Sequence, residues 1–330
     1  MLLTILLALS AGAHAISPWC GVPCPLGYAR AEPNAAGQCA CALAAGHEVT
    51  PFGVFPSECV RRVANGSHVR TRAADGVVEA RAPDDRVETY PPKARCLEHY
   101  NKTGLAYGRD AQRAQQARER AAAGVSDGWN TFVGYYTDAA DESRHADRFE
   151  GVYTIPDDPP AGAAGQTLFY FLGVQNNHDT AGLTILQPVL TWENGHDGWN
   201  MASWNCCPAG EATTSDFLLG LEAGGVARGY YAVDEDKRTA TVVSEYGGKS
   251  ATLTIEREER AFDWLNVALE VYGVDDCDEF AGSPMTIDTL AAVDETGASI
   301  EPEWEKTVTH ACGGLLSATA DSWTVDHLLR

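Results

Sequence analysis

The chain has 330 residues and a formal net charge of −22. This length is sufficient for one large β-sandwich together with a smaller module. So large an excess of carboxylates argues against nucleic acid and anionic membranes as partners, because both are themselves negatively charged. The charge is compatible with acidic or salty surroundings, in which carboxylates are partly protonated or screened. It is equally compatible with an ordinary soluble protein.

Residues 1–15 are apolar and end in Ala-His-Ala, which is typical of a signal peptide cleaved before Ile16. The apolar run is too short to span a bilayer, and the sequence contains no other candidate, so we expect no membrane insertion. Sequons at Asn65 and Asn101 are consistent with a glycoprotein. Together these features predict a secreted, extracellular protein.

Ten cysteines in a secreted chain predict disulfide bonds. Six lie before residue 100 and four after residue 200, which suggests two separately cross-linked modules. Cys59 and Cys96 are expected to close a long loop in the first. The spacings contain no pair of CxxC motifs, so we predict no metal site and no cofactor.

The first module, residues 16–100, is rich in Pro, Gly and Cys, and we expect little regular structure beyond strands at 76–80 and 87–90. A linker at 101–127 carries alanines at helical spacing, which predict a helix over 109–123. Residues 128–330 form the second module.

That second module shows an all-β pattern. Short runs rich in aromatic and β-branched residues alternate with turn residues, which predicts a two-sheet sandwich of jelly-roll type. The predicted strands are 129–136, 149–155, 168–174, 184–192, 199–205, 217–221, 226–233, 239–246, 250–256, 264–272 and 285–293.

Residues 166–207 are the most informative stretch. Gln187 lies between Leu186 and Pro188 in an otherwise apolar strand, and several Trp residues are close by in sequence. A polar side chain inside such a strand, with indoles nearby, indicates a groove rather than a plain core.

The order of four motifs resembles that of the glutamic peptidases (eqolisins), which are secreted acid proteases with a concanavalin-A-like β-sandwich. The motifs are Gly-Trp-Asn at 128–130, Val-Tyr-Thr-Ile-Pro at 152–156, Ile-Leu-Gln at 185–187 and Asp-Trp at 263–264. The resemblance covers residues 128–295. It implies a catalytic role for Gln187 and a carboxylate before Trp264, where the family has Glu and this chain has Asp263.

An acid endopeptidase-type hydrolase is therefore the first functional hypothesis. A carboxylate would activate a water molecule, and Gln187 would hold the water and stabilise the developing oxyanion. Asp263 is one methylene shorter than the family's Glu, and Glu270 is the other candidate on the same strand. The alternative is that Gln187, Asp263 and Glu270 are structural residues, either hydrogen-bonded to the backbone or exposed where the strand begins.

Glycan binding is the alternative function. Indoles offer flat apolar faces to sugar rings, and side-chain amides fix hydroxyl groups. The candidate binding residues are Trp129, Trp192, Trp204 and Asn176. Each Trp can equally well fill the sandwich core. The expected partner is thus a polypeptide or a glycan.

Four cysteines remain for the sandwich. Adjacent residues of a strand point to opposite sides, so we expect Cys206 and Cys207 to bond Cys277 and Cys312, in either order, rather than each other.

Overall fold

The structure is a computed structural model that describes residues 16–17, 24, 26–30, 32, 39–72, 74–103, 128–137, 144–160, 166–176, 184–193, 195–207, 210–257, 261–274, 277–308 and 315–327. The predicted signal peptide, the predicted helix over 109–123 and Cys312 lie outside the described residues.

The described part is almost entirely β, which confirms the predicted all-β sandwich class. Before residue 104 the elements are β1 (Ile16–Ser17), β2 (Tyr28–Arg30), β3 (Cys39–Leu43), β4 (His47–Thr50), β5 (Gly53–Pro56), β6 (Val60–Arg62), β7 (Ser67–Thr71), β8 (Val78–Arg81), β9 (Val87–Tyr90) and the helix α1 (Ala94–Thr103).

After residue 127 the strands are β10 (Gly128–Tyr136), β11 (Ala146–Thr154), β12 (Thr167–Gln175), β13 (Ile185–Trp192), β14 (Trp199–Cys206), β15 (Ala212–Thr214), β16 (Leu218–Leu221), β17 (Val226–Val233), β18 (Thr239–Tyr246), β19 (Lys249–Glu256), β20 (Trp264–Tyr272), β21 (Met285–Asp294), β22 (Ser299–Ile300), β23 (Glu305–Val308), β24 (Leu315–Thr319) and β25 (Ser322–Asp326). The eleven strands predicted for this module are confirmed, most of them within a few residues at either end.

Two large sheets make up the sandwich. One has the order β23-β10-β20-β12-β13-β14-β15-β6, with β16 also paired to β14. The other has the order β24-β25-β21-β11-β17-β18-β19-β7-β8-β9, with β22 also paired to β21. We call them the front sheet and the back sheet.

Each central strand of the front sheet is buried on both faces, because its side chains alternate between two apolar clusters. Leu172 of β12 and Leu265 and Val267 of β20 pack between the two sheets. Phe171 of β12 and Ala268 of β20 belong to a second cluster, on the outer face of the front sheet. Burial on both faces explains why these strands are nearly continuous apolar runs.

The first module has far more regular structure than its composition suggested. Its strands also join the sandwich: β6 pairs in parallel with β15, and β7 pairs in parallel with β19. Val63 and Val69 share the core between the sheets. The division near residue 100 into two modules stays a prediction, but the two stretches share sheets and core.

The predicted Cys59–Cys96 bond is confirmed, and a second bond joins Cys24 to Cys41. Within the described residues, no helix is long and apolar enough to cross a membrane.

Candidate functional site

The outer face of the front sheet carries the polar residues that sequence analysis singled out. On β13, Gln187 lies on this face between Ile185 and Val189, both of which belong to the outer cluster. On β20, Asn266 lies on it, two residues from Ala268. The sandwich core takes the alternate residues, so strand periodicity alone assigns Gln187 and Asn266 to the same side.

Gln187 and Asn266 meet above Gly173, which lies on β12 between their two strands. An added Cβ at Gly173 would lie 2.8 Å from Asn266 Oδ1 and 3.0 Å from Gln187 Cγ. Gly173 is the register partner of Asn266. Because glycine has no side chain, amides from β13 and β20 can approach each other across the intervening strand. We call Gln187 and Asn266 the amide pair.

The amide pair is completely buried, at 0% relative exposure for both residues. Within the described part of the chain, neither the oxygen nor the nitrogen of either side-chain amide has a hydrogen-bond partner. A buried polar group left without a partner costs about 1–3 kcal/mol. In native proteins, a buried polar group without a protein partner is commonly hydrogen-bonded to a ligand or to an ordered water molecule. The pair offers donors and acceptors together, with no charge.

Two indoles flank the amide pair along one row of the sheet. Trp204 of β14 is the register partner of Gln187. On the other side, the register partner of Asn266 is Gly134 of β10. Trp264 lies over Gly134, since an added Cβ there would be 2.6 Å from Trp264 Nε1. Both glycines of this row therefore make space for neighbouring side chains.

Tyr153 fixes the backbone behind Gln187. Pro188 has no N–H that could hydrogen-bond to β12. Beside Pro188, the hydroxyl group of Tyr153 lies between β12 and β13. It accepts from the Leu172 N–H at 3.0 Å and donates to the Pro188 carbonyl at 2.9 Å. Burial raises the pKa of Tyr153 far above its ordinary value, so the hydroxyl keeps its proton and remains a donor.

The predicted carboxylates lie in other rows of the sheet than the amide pair. Glu270 is on the outer face but four residues along β20 from Asn266, which corresponds to about 13 Å at a rise of ~3.3 Å per residue. Its register partners are Trp129 and Phe169, and its carboxylate accepts a hydrogen bond from the Tyr272 hydroxyl.

Asp263 lies just before β20, three residues from Asn266, or about 10 Å along the strand direction. Its backbone is part of the sheet: its N–H donates to the Gln175 carbonyl at 3.2 Å, and its carbonyl accepts from the Thr137 N–H at 2.8 Å. Asn266, an amide, is the polar residue that faces Gln187 across Gly173. The catalytic assignment of Gln187, Asp263 and Glu270 stays a prediction.

The four predicted binding residues are divided between the two faces. Trp204 lies beside Gln187, and Trp129 lies on the same face, stacked on Trp264 with ring centroids 5.6 Å apart. Trp192 faces the opposite side, where it packs on Trp199 at 5.2 Å and borders the core between the sheets. The prediction that Trp192 shares the groove is wrong. Trp192 lies five residues from Gln187 on β13, and residues an odd number apart on a strand point to opposite faces.

Asn176 stays a predicted binding residue. It closes the turn from β12 to β13: its Oδ1 accepts from the Thr184 N–H at 2.5 Å, and its own N–H donates to the Thr184 carbonyl at 3.3 Å. Its oxygen is therefore committed to the hairpin.

The cysteine prediction is corrected as well. The structure joins Cys206 to Cys207. Strand alternation, on which the prediction rested, ends at Cys206, the last residue of β14, and the peptide that follows it is cis. Cys277 is disulfide-bonded too.

Asn266 and Trp264 were not predicted as site residues, and no role was predicted for Gly134 or Gly173. Asn266 carried the same signal as Gln187, a lone amide inside an apolar strand. Nothing in the sequence tells which glycine lies between two amides. Among the described residues, no group of three or more His, Cys, Asp or Glu side chains could hold a metal ion.

Comparison with known proteins gives similarities of fold at low sequence identity. Scytalido-glutamic peptidase, solved with a peptide-based transition-state analogue, matches with a TM-score of 0.43 and 12% identity, covering 61% of this chain and 98% of that one. SCP-B, a member of the eqolisin family of peptidases, matches with a TM-score of 0.42 and 11% identity over the same shares. Basic winged bean lectin matches with a TM-score of 0.28 and 14% identity, covering 50% of this chain and 79% of that one.

No family model and no curated protein matches the chain. The matched structures include both peptidases and lectins, and at these values they assign neither activity nor ligand.

Proposed function

We propose that this chain is a secreted carbohydrate-binding β-sandwich and that the amide pair, flanked by Trp204 and Trp264, binds the sugar. The observation that carries the proposal is the pair itself: two adjacent, fully buried amides whose four polar atoms are without partners in the described structure. A sugar hydroxyl can donate one hydrogen bond and accept others, and a side-chain amide also has donors and an acceptor, so the two groups are complementary. The disulfides and the apolar leader support an extracellular location.

The indoles favour a sugar over other neutral polar ligands. An indole combines a flat apolar surface with one polar N–H, and the Trp204 Nε1 is buried without a partner within the described chain. The Trp264 ring is stacked against Trp129 and Tyr136, so Trp204 is the indole that would face the sugar. Sites with a mainly aromatic lining and a few convergent polar groups are typical of small-molecule binding. Because the amide pair and its flanking indoles carry no charge, we expect a neutral oligosaccharide.

Binding to a panel of neutral oligosaccharides by titration calorimetry tests the proposal. We expect Gln187→Ala and Asn266→Ala each to weaken binding at least about tenfold, which corresponds to ~1.4 kcal/mol. Thr191→Val is the matched control, since Thr191 is equally buried on β13 and lies four residues from Gln187; its affinity should be unchanged. If wild-type protein binds no oligosaccharide, or the Gln187→Ala variant binds as tightly as wild type, the proposal is wrong.

An acid hydrolase is the second candidate, and the buried Glu270–Tyr272 pair is the observation that favours it. The Tyr272 hydroxyl donates a hydrogen bond to the Glu270 carboxylate and orients it, and an oriented carboxylate can serve as a general base. Incubation with denatured casein at about pH 3.5, close to the range in which ordinary carboxyl groups titrate, decides between the two functions. Cleavage that is lost in both Glu270→Gln and Gln187→Ala would establish the hydrolase.

A further inference from the structure

A β-hairpin of the first module packs against Trp204, the register partner of Gln187. It consists of β4 and β5, which are joined by a short turn that contains Phe52. Phe52 contacts Trp204 edge-to-face, with ring centroids 6.1 Å apart. The tip of the hairpin thus rests on the indole that neighbours Gln187.

The hairpin packs into the apolar cluster on the outer face of the front sheet. Phe52, Val54 and Phe55 belong to the same buried cluster as Ile185 and Val189, which are the neighbours of Gln187 on its own strand and face. Phe52 and Phe55 are 3% and 0% exposed. The buried cluster to which the neighbours of Gln187 belong is therefore completed by residues that are more than 130 positions away in sequence.

The hairpin is attached differently from the strands that follow it. β6 and β7 are hydrogen-bonded into the front and back sheets. Within the described chain, β4 and β5 pair only with each other, as a separate two-stranded sheet. The hairpin can therefore leave the front sheet without breaking a ladder of either large sheet.

The remaining contacts of the hairpin are with the turn before β2, where Gly27 lies against Val54, and with α1, where the Phe55 and His99 rings are 5.2 Å apart. The imidazole of His99, on α1, bonds the Val54 carbonyl at 2.7 Å. Arg62 pairs with Glu48 at 3.1 Å on the surface, and an exposed pair of this kind contributes little. Gly46, at the base, has a φ of +75°, and its carbonyl accepts a hydrogen bond from the Ser57 N–H at 2.8 Å, which holds the two ends of the hairpin together.

We propose that the β4–β5 hairpin is a lid that closes the amide-pair site and has to swing away before a ligand can bind; this inference rests on the proposed function. In the closed form, Phe52 and Phe55 occupy the space above the sheet that a sugar would take. The apparent affinity is then the intrinsic affinity reduced by the fraction of molecules that are open. A lid that is open in about 1–10% of molecules weakens binding by about 10- to 100-fold.

Phe52→Ala and Phe217→Ala form a matched pair that tests the lid. Both rings meet Trp204 edge-to-face at 6.1 Å, but Phe217 comes from the sandwich and Phe52 from the hairpin. With cellotriose, maltotriose and chitotriose as probes, we expect Phe52→Ala to bind at least about tenfold more tightly than wild type, whereas Phe217→Ala does not. If Phe52→Ala and wild type bind equally, the lid is refuted while the binding function stands. If no variant binds, the proposed function is refuted.

Hydrogen exchange on the wild-type protein tests the lid without any variant and without a ligand. Amides of residues 47–56 should exchange at least about tenfold faster than those of β13, because opening the lid leaves the front sheet intact. Added oligosaccharide should then speed exchange in the hairpin and slow it in β13. Hairpin amides that are as protected as β13 would overturn the proposal, as would hairpin amides that a bound sugar slows.

Discussion

Gln187 and Asn266 face each other above Gly173, although they belong to strands that are not neighbours in the front sheet. This arrangement depends on β12 having no side chain at Gly173. Each amide comes from a mainly apolar strand, and each is fully buried. The candidate site is therefore a property of three strands together.

Gly173→Ala should weaken ligand binding about tenfold or more and destabilise the fold by about 1–3 kcal/mol, since the new methyl group overlaps Asn266 and crowds Gln187. Gly151→Ala is the control. An added Cβ there would lie 2.7 Å from Ile287 and 3.0 Å from Leu172, in the core between the sheets. It should cost similar stability in urea unfolding but leave affinity unchanged. Equal losses of affinity in the two variants would contradict a site at Gly173.

Tyr153→Phe should destabilise the protein by about 1–3 kcal/mol, because the Leu172 N–H and the Pro188 carbonyl would both lose a buried partner. Tyr231→Phe serves as the comparison: Tyr231 is equally buried but makes one longer bond, at 3.3 Å to the Ala146 carbonyl. Urea unfolding should show the larger loss for Tyr153→Phe. If the order is reversed, the hydroxyl does not bridge β12 and β13.

The buried pair of Arg61 and Glu211 joins β6 to the front sheet at 4% and 1% side-chain exposure. Burial lowers the pKa of Arg61 to about 10, as expected for a desolvated cation. Removing one partner leaves the other as a buried charge without a counter-ion, so Glu211→Gln should lower the free energy of unfolding by about 3–5 kcal/mol. The double variant Arg61→Met with Glu211→Leu should recover most of that stability.

The neighbouring surface pair Arg62–Glu48 is the control for that experiment. Because it is exposed, Glu48→Gln should cost no more than about 1 kcal/mol. Chemical denaturation of all these variants measures the difference directly. A loss for Glu211→Gln as small as that for Glu48→Gln would show that the buried pair does not hold β6 in place.

His99 should make stability depend on pH. Burial, followed by repulsion from His47, Arg95 and Lys102, lowers its pKa, and these outweigh the raising effect of its bond to Val54. The unfolded chain, with an ordinary imidazole pKa of about 6.5, then binds protons more readily than the folded one. The stability that neutral His99 contributes is therefore complete above about pH 6.5 and is lost as the pH falls below it.

His99→Gln keeps a donor for the Val54 carbonyl and removes the titration. Its unfolding free energy should decline less than that of wild type between pH 7.5 and pH 5, which straddles the ordinary imidazole pKa of about 6.5. Identical pH profiles for the two proteins would contradict this role for His99.

The sequence by itself determined the elements of the sandwich. The alternating run 226–233 and the nearly continuous apolar run 264–272 predicted strands with the bounds that the structure shows. This works because strand periodicity and turn chemistry are local. The Cys59–Cys96 bond also followed from the sequence, since those two cysteines flank one long loop. Gln187 was identified because an amide inside an apolar strand is conspicuous.

Only the tertiary structure decided what faces Gln187. The partner is Asn266, because sheet order places β20 two strands from β13 and Gly173 between them. Strand order and register depend on pairings between residues that are distant in sequence, which no local pattern encodes. For the same reason the sequence could not show that Trp192 points into the core, or that the hairpin around Phe52 packs against Trp204. The adjacent bond between Cys206 and Cys207 also escaped prediction, because alternation holds only while a strand continues, and β14 ends at Cys206.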